Sequence, residues 1–138
     1  MNTFHLEILS PNRTFFVGEA ELISIPVSDG IIGIMANHSP MTSAIPDGKI
    51  TFVTEDGAKK ICSVSQGILD VENNRVRLLC ETALYPEEID AETERKIAAE
   101  AQMRIKAKQS KKEYNLWKLA LSKAINNLKV KNDGDINL

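Results

Sequence analysis

Gly67-Ile-Leu-Asp-Val-Glu-Asn-Asn-Arg-Val-Arg-Leu-Leu-Cys-Glu-Thr-Ala-Leu-Tyr-Pro-Glu-Glu-Ile-Asp90 passes from one backbone period to another. In its first part Val76, Leu78 and Cys80 recur at every second position, the spacing of a strand with one buried face. Asn73-Asn74 before them suits a tight hairpin whose central residues need positive φ. After Tyr85-Pro86 glycine vanishes until Gly134, and Ala, Glu, Lys, Leu and Gln take over, which is helical composition. Pro86, Glu87 and Glu88 suit a helix start. Asp90 is placed to be the N-cap, with Glu92 and Glu94 in the first turn, where the helix dipole favours negative charge.

Working back toward the N-terminus, the same alternation appears in Phe4, Leu6 and Ile8, in Ile23, Ile25 and Val27, and in Ile50 and Phe52. Turn signals stand between these runs at Ser10-Pro11-Asn12, Ser28-Asp29-Gly30, Pro46-Asp47-Gly48 and Glu55-Asp56-Gly57. Short, closely spaced strands of this kind predict a small β-sandwich or barrel over residues 1–84.

Working forward, residues 85–138 predict an antiparallel α-helical hairpin, with helices at about 91–107 and 111–130. Ser110-Lys111-Lys112-Glu113 reads as a capping box opening the second helix. Tyr114, Trp117, Leu121, Ile125 and Leu128 form one apolar stripe, opposed by Ile97, Ala98, Ala101 and Ile105. Two helices alone bury little apolar area, so the hairpin is expected to be marginal unless it packs on something else. The tail from Asn132 to Leu138 reads as frayed.

The composition, 43% hydrophobic and 26% charged, is that of a globular protein. No apolar run reaches the ~18 residues of a membrane span, and the N-terminus lacks the pattern of a signal peptide, so no direct span and a cytoplasmic setting are expected. Cys62 and Cys80 are expected as buried thiols. The net charge of −2 conceals a split, −4 over residues 1–84 and +2 over 85–138. Within 101–131 there are 9 basic residues against Glu113 alone.

A seat for catalysis is hard to find. His5 and His38 are far apart in sequence with no second ligand type nearby, so no metal is expected. Gly30-Ile-Ile-Gly33 matches neither a dinucleotide loop nor a phosphate loop. Asp29 to Met41 is the most unusual stretch, readable either as a bulged core strand or as an apolar patch offered to a partner. The basic second helix is either a solvated face or an electrostatic binding face. Its aromatics lie on the stripe rather than among the lysines, which favours a protein partner over nucleic acid.

Gly30, Gly33, Ile34, His38 and Pro40 resemble the glycine-rich signature of the epsilon subunits of F-type ATP synthases, called delta in mitochondria. The block from Gly67 to Ala83 resembles that family's last sandwich strands. Ala36, Asn37 and Ser39 depart from the signature, which predicts looser turn chemistry. The resemblance covers essentially the whole chain and implies an all-β N-terminal sandwich carrying the helical hairpin.

It further implies a non-catalytic subunit of the rotor central stalk, peripheral on the cytoplasmic face of the bacterial cell membrane. Such a subunit couples proton or sodium flow to ATP synthesis and inhibits ATP hydrolysis through its helices. The implied c-ring contact is Ser28, Asp29, Gly30, Ile31 and Ile32. The implied gamma-subunit contact is His38, Ser39, Pro40, Met41, Thr42 and Ser43. In the inhibited state the helices would meet beta and alpha subunits through the basic face of Lys111, Lys112, Lys118 and Lys123. A regulatory ATP site in some members involves positions matching Ile89, Asp90 and Lys123. Here Thr93, Glu94 and Asn127 replace residues of that pattern and Lys123 replaces an arginine, so ATP binding is expected to be weak or absent and no cofactor is implied.

Overall fold

The computed structural model describes residues 2–107 and 110–136. Its two compact units meet at Tyr85 and Pro86.

The first unit contains nine strands: β1 (Phe4–Ser10), β2 (Arg13–Val27), β3 (Gly30–Ile34), β4 (Met41–Ile45), β5 (Gly48–Thr54), β6 (Lys59–Val64), β7 (Gly67–Glu72), β8 (Arg75–Cys80) and β9 (Ala83–Leu84). The order is β4-β7-β8-β1-β2-β5-β6-β9, with β3 also paired to β2. All pairings are antiparallel except β1 with β8, which brings His5 opposite Arg75 and Leu9 opposite Leu79.

The 15-residue β2 makes this order a sandwich. Its first half pairs with β1 and its second half with β5 and β3. The register breaks between Ala20 and Leu22, and such a break bends and twists a strand. β2 therefore belongs to both layers.

The alternation read from sequence is the core. Phe4, Leu6, Ile8, Ile23, Ile25, Ile50, Phe52, Val76 and Leu78 are each at most 1% exposed, and Cys80 is nearly as buried. Burying each large aliphatic or aromatic side chain stabilises by about 1.5 to 3 kcal/mol, so they explain why the layers stay closed. Both thiols are free and buried. Burial pushes the Cys80 thiol up to about 11 and Cys62 higher still, which leaves both inert as nucleophiles. The Asn73-Asn74 turn forms as expected, with φ of 50° and 59°.

The second unit opens with one turn of 3-10 helix over Pro86–Glu88, followed by α1 (Ala91–Lys106) and α2 (Lys111–Ile136), which pack on each other. Ser110 Oγ accepts from the Glu113 amide at 3.3 Å, one half of the expected capping box. Two expectations need correction. α2 does not stop near residue 130 or fray from Asn132, but continues to Ile136; Asn137 and Leu138 lie outside the described residues.

The buried stripe of α2 is also displaced. Among the described residues of α2, Ala124, Asn127 and Val130 are the buried positions, whereas Tyr114 and Ile125 are 37% and 40% exposed. On α1, Ala101 is buried and Ile97 is exposed. Small side chains occupy the closest approach and larger ones the rim, so counting large apolar residues points to the wrong phase.

Candidate functional site

Three features of the first unit are built for contact rather than for the core. The first is the β2–β3 hairpin. Ser28 and Asp29 form its turn, and Gly30 closes it at φ +154°, a conformation that side-chain-bearing residues rarely adopt. Ile31, opposite Pro26, is 77% exposed, while Ile32 packs against the core and Ile34 is fully buried. The stretch is thus both things its sequence allowed, a core strand through Ile32 and Ile34 and an apolar projection at Ile31. Among the described residues β3 pairs only with β2, so the projection stands on a sheet edge.

The second feature is the loop after β3. Asn37 has φ 64°, and its amide donates to Asn74 Oδ1 at 2.8 Å. Asn74 in turn donates from Nδ2 to the Thr3 carbonyl at 3.0 Å and accepts the His5 amide at its own carbonyl at 3.1 Å. One side chain ties three segments together. The expectation of looser turn chemistry is therefore corrected: asparagine tolerates the left-handed conformation that glycine would supply, and here it is stapled as well.

Beyond it, His38 Nδ1 lies 2.8 Å from the Ser39 carbonyl, which can only accept, so Nδ1 carries a proton and Nε2 is left for another group. Ser39 and Pro40 are exposed. Along β4 the outward position is Thr42, whose hydroxyl donates to Asp70 at 3.2 Å, while Met41 packs against the core and Ser43 shares its phase.

The third feature was not anticipated. Register places Ala44, Ile68, Leu79 and Leu9 in one row across β4, β7, β8 and β1. Ile68 and Leu79 are 52% and 45% exposed. They border a shallow hollow of about 600 Å³ that Leu9, Pro11 and Gln66 also line. The neighbouring row, Thr42, Asp70, Arg77, Glu7 and Val17, is mostly polar. Arg77 Nε donates to Glu7 Oε2 at 2.9 Å, and this bond holds the Glu7 carboxyl below its usual range. His5 lies 3.3 Å from Glu7 and 3.4 Å from Glu19. An apolar row flanked by a satisfied polar row has the form of a docking face. Leu9, Ile68 and Leu79 hold the phase that should be polar, and that was the signal available in the sequence.

In the second unit Asp90 is occupied as the α1 cap. It accepts from the Thr93 hydroxyl at 2.8 Å and from the Glu92 and Thr93 amides at 3.1 and 3.4 Å, which holds its carboxyl below the ordinary carboxylate range, the Thr93 hydroxyl contributing most. Ile89 is buried. Neither offers a phosphate a donor. Lys111, Lys112 and Lys118 are exposed, with Lys118 Nζ 5.2 Å above the Tyr114 ring, whereas Lys123 is half-buried. Lys111 with Lys118 and Lys112 with Lys123 form two ridges rather than one face. Among the described residues no His, Cys, Asp or Glu cluster could hold a metal, and no helix is long and apolar enough to cross a membrane.

Residues 3–86 match the family model described as ATP synthase, Delta/Epsilon chain, beta-sandwich domain. The chain belongs to the ATP synthase delta/epsilon family. The similarity extends beyond that domain into the helices. The ATP synthase epsilon chain of Caldicellulosiruptor bescii is 37% identical over 130 residues, covering 94% of each chain. That of Ruminiclostridium cellulolyticum is 37% identical over 132 residues, covering 96% of this chain and 98% of the relative.

Among solved structures, a chain of the Euglena gracilis mitochondrial ATP synthase (OSCP/F1/c-ring) superposes with a TM-score of 0.76 at 19% identity, covering 97% of this chain and 81% of that one. A chain of the Tetrahymena thermophila mitochondrial ATP synthase central stalk and c-ring gives 0.64 at 12% identity, covering 92% and 95%. At these identities the two structures establish the shared fold. In delta/epsilon terms, the unforeseen apolar row and the stapled loop both lie in the family's sandwich domain, on neighbouring strands.

Proposed function

We propose that this delta/epsilon-family chain is a non-catalytic rotor subunit. Its sandwich docks on the gamma subunit through the His38–Ser43 segment and the apolar row further along the same strands, and the Ile31 turn rests on the c-ring. In this reading it turns with the stalk, coupling proton or sodium flow to ATP synthesis, and it is peripheral on the cytoplasmic side of a bacterial membrane. The observation that carries the proposal is an exposed apolar row on the outer face of a sheet whose inner face is already a complete core, with the stapled loop at the other end of the same strands. A chain superposing on the Tetrahymena central stalk and c-ring structure supports the same reading.

The helices inhibit ATP hydrolysis by meeting acidic segments of the beta, and adjoining alpha, subunits. Regulatory ATP binding is weak or absent, since the Asp90 carboxylate caps α1 and would repel phosphate. ATPase activity of the reconstituted enzyme tests the inhibitory role. A 1–85 truncation is expected to raise hydrolysis, and Lys111, Lys112, Lys118 and Lys123 all changed to alanine should reproduce part of the rise. Each exposed pair contributes about 0.2 to 1 kcal/mol, so several together shift the active population measurably. Activation by truncation alone would make the inhibition steric. No activation by either would remove the inhibitory role.

A further inference from the structure

α2 is ten residues longer than α1, 26 against 16. At 1.5 Å per residue the excess is about 15 Å, enough to carry its last turns past the start of α1. They reach the 3-10 turn over Pro86–Glu88. There Gly134, the only glycine after Gly67, lies against the Pro86 ring: a methyl group at 134 would stand 2.7 Å from Pro86 Cγ and closer still to its Cβ. The proline ring is rigid and cannot swing aside as a lysine tip would. Glycine is a poor helix former, so its presence inside α2 opposes local preference and is accounted for by the close approach. Pro86 is itself held, because its carbonyl accepts the Ile89 amide at 3.1 Å, one residue before the Asp90 cap.

We propose that the last turns of α2 form a clasp on the Pro86 linker. The backbone of Gly134 seats on the proline ring, holds the compact hairpin closed, and must release before residues 86–90 can extend. The regulatory consequence rests on the inhibitory reading above, while the clasp itself can be tested in the isolated chain.

The experiment is hydrogen exchange on the full-length chain. At an ordinary helical glycine, Gly134→Ala would slow exchange by favouring the helix. The clasp reverses the sign: exchange at 87–93 and in the last turns of α2 should accelerate roughly 5- to 100-fold, as overpacking does, with the strands unchanged. Pro86→Ala combined with Gly134→Ala should restore protection, since removing the ring makes room for the methyl group. Slower exchange in Gly134→Ala, or strictly additive effects in the double variant, would overturn the clasp. In the reconstituted enzyme Gly134→Ala should lower ATP hydrolysis by freeing the hairpin to inhibit. Accelerated exchange with unchanged hydrolysis would leave the clasp standing and remove the inhibitory reading instead.

Discussion

Asn37 and Asn74 show how much a single polar side chain decides in the loop between β3 and β4. Asn37 needs only a residue that accepts positive φ, so Asn37→Gly is expected to be nearly neutral and Asn37→Ala to cost about 1 kcal/mol. Asn74 needs both the conformation and its side-chain hydrogen bonds to Asn37 and Thr3, so Asn74→Ala should cost about 2 to 3 kcal/mol. Urea unfolding of the isolated chain checks the order. Equal losses at the two alanine variants would dissolve the staple. The Asn73-Asn74 turn and the Asp90 cap could be read from sequence because their chemistry is local. Asn37 was misjudged because a signature compares letters, whereas the backbone compares φ.

At the scale of elements, alternation located the strands, but a row across four strands exists only once their register is known. Parallel pairing of β1 with β8 joins residues about 70 positions apart, and nothing local encodes it. α2 misled for a related reason: Gly134 and the polar residues around it resemble a helix stop, and the contact with Pro86 overrides that preference. The apolar row yields its own prediction. Leu79→Asp leaves the core untouched, since Leu78 is the inward residue, so the melting transition should hold while affinity for purified gamma subunit falls at least about tenfold, as expected for an apolar anchor. Retained affinity would move the gamma contact off this face.

Taken as a whole, the molecule ends its first unit with a ring stack: Tyr85 lies 4.2 Å from Phe15, with Arg13 over Phe15 and Lys60 over Tyr85. A chain cut after Tyr85 should therefore fold and melt cooperatively. One cut after Leu84 should be less stable by about 1 to 3 kcal/mol, having lost a ring pair and its buried area. Thermal melts of the two truncations read the difference, and identical curves would make the stack ornamental. The shared strand has a mechanical consequence too. Where two sheets are held only by packed side chains, a sideways load can delaminate them; here the load must stretch β2 along its own covalent chain, so the sandwich resists shear as one piece.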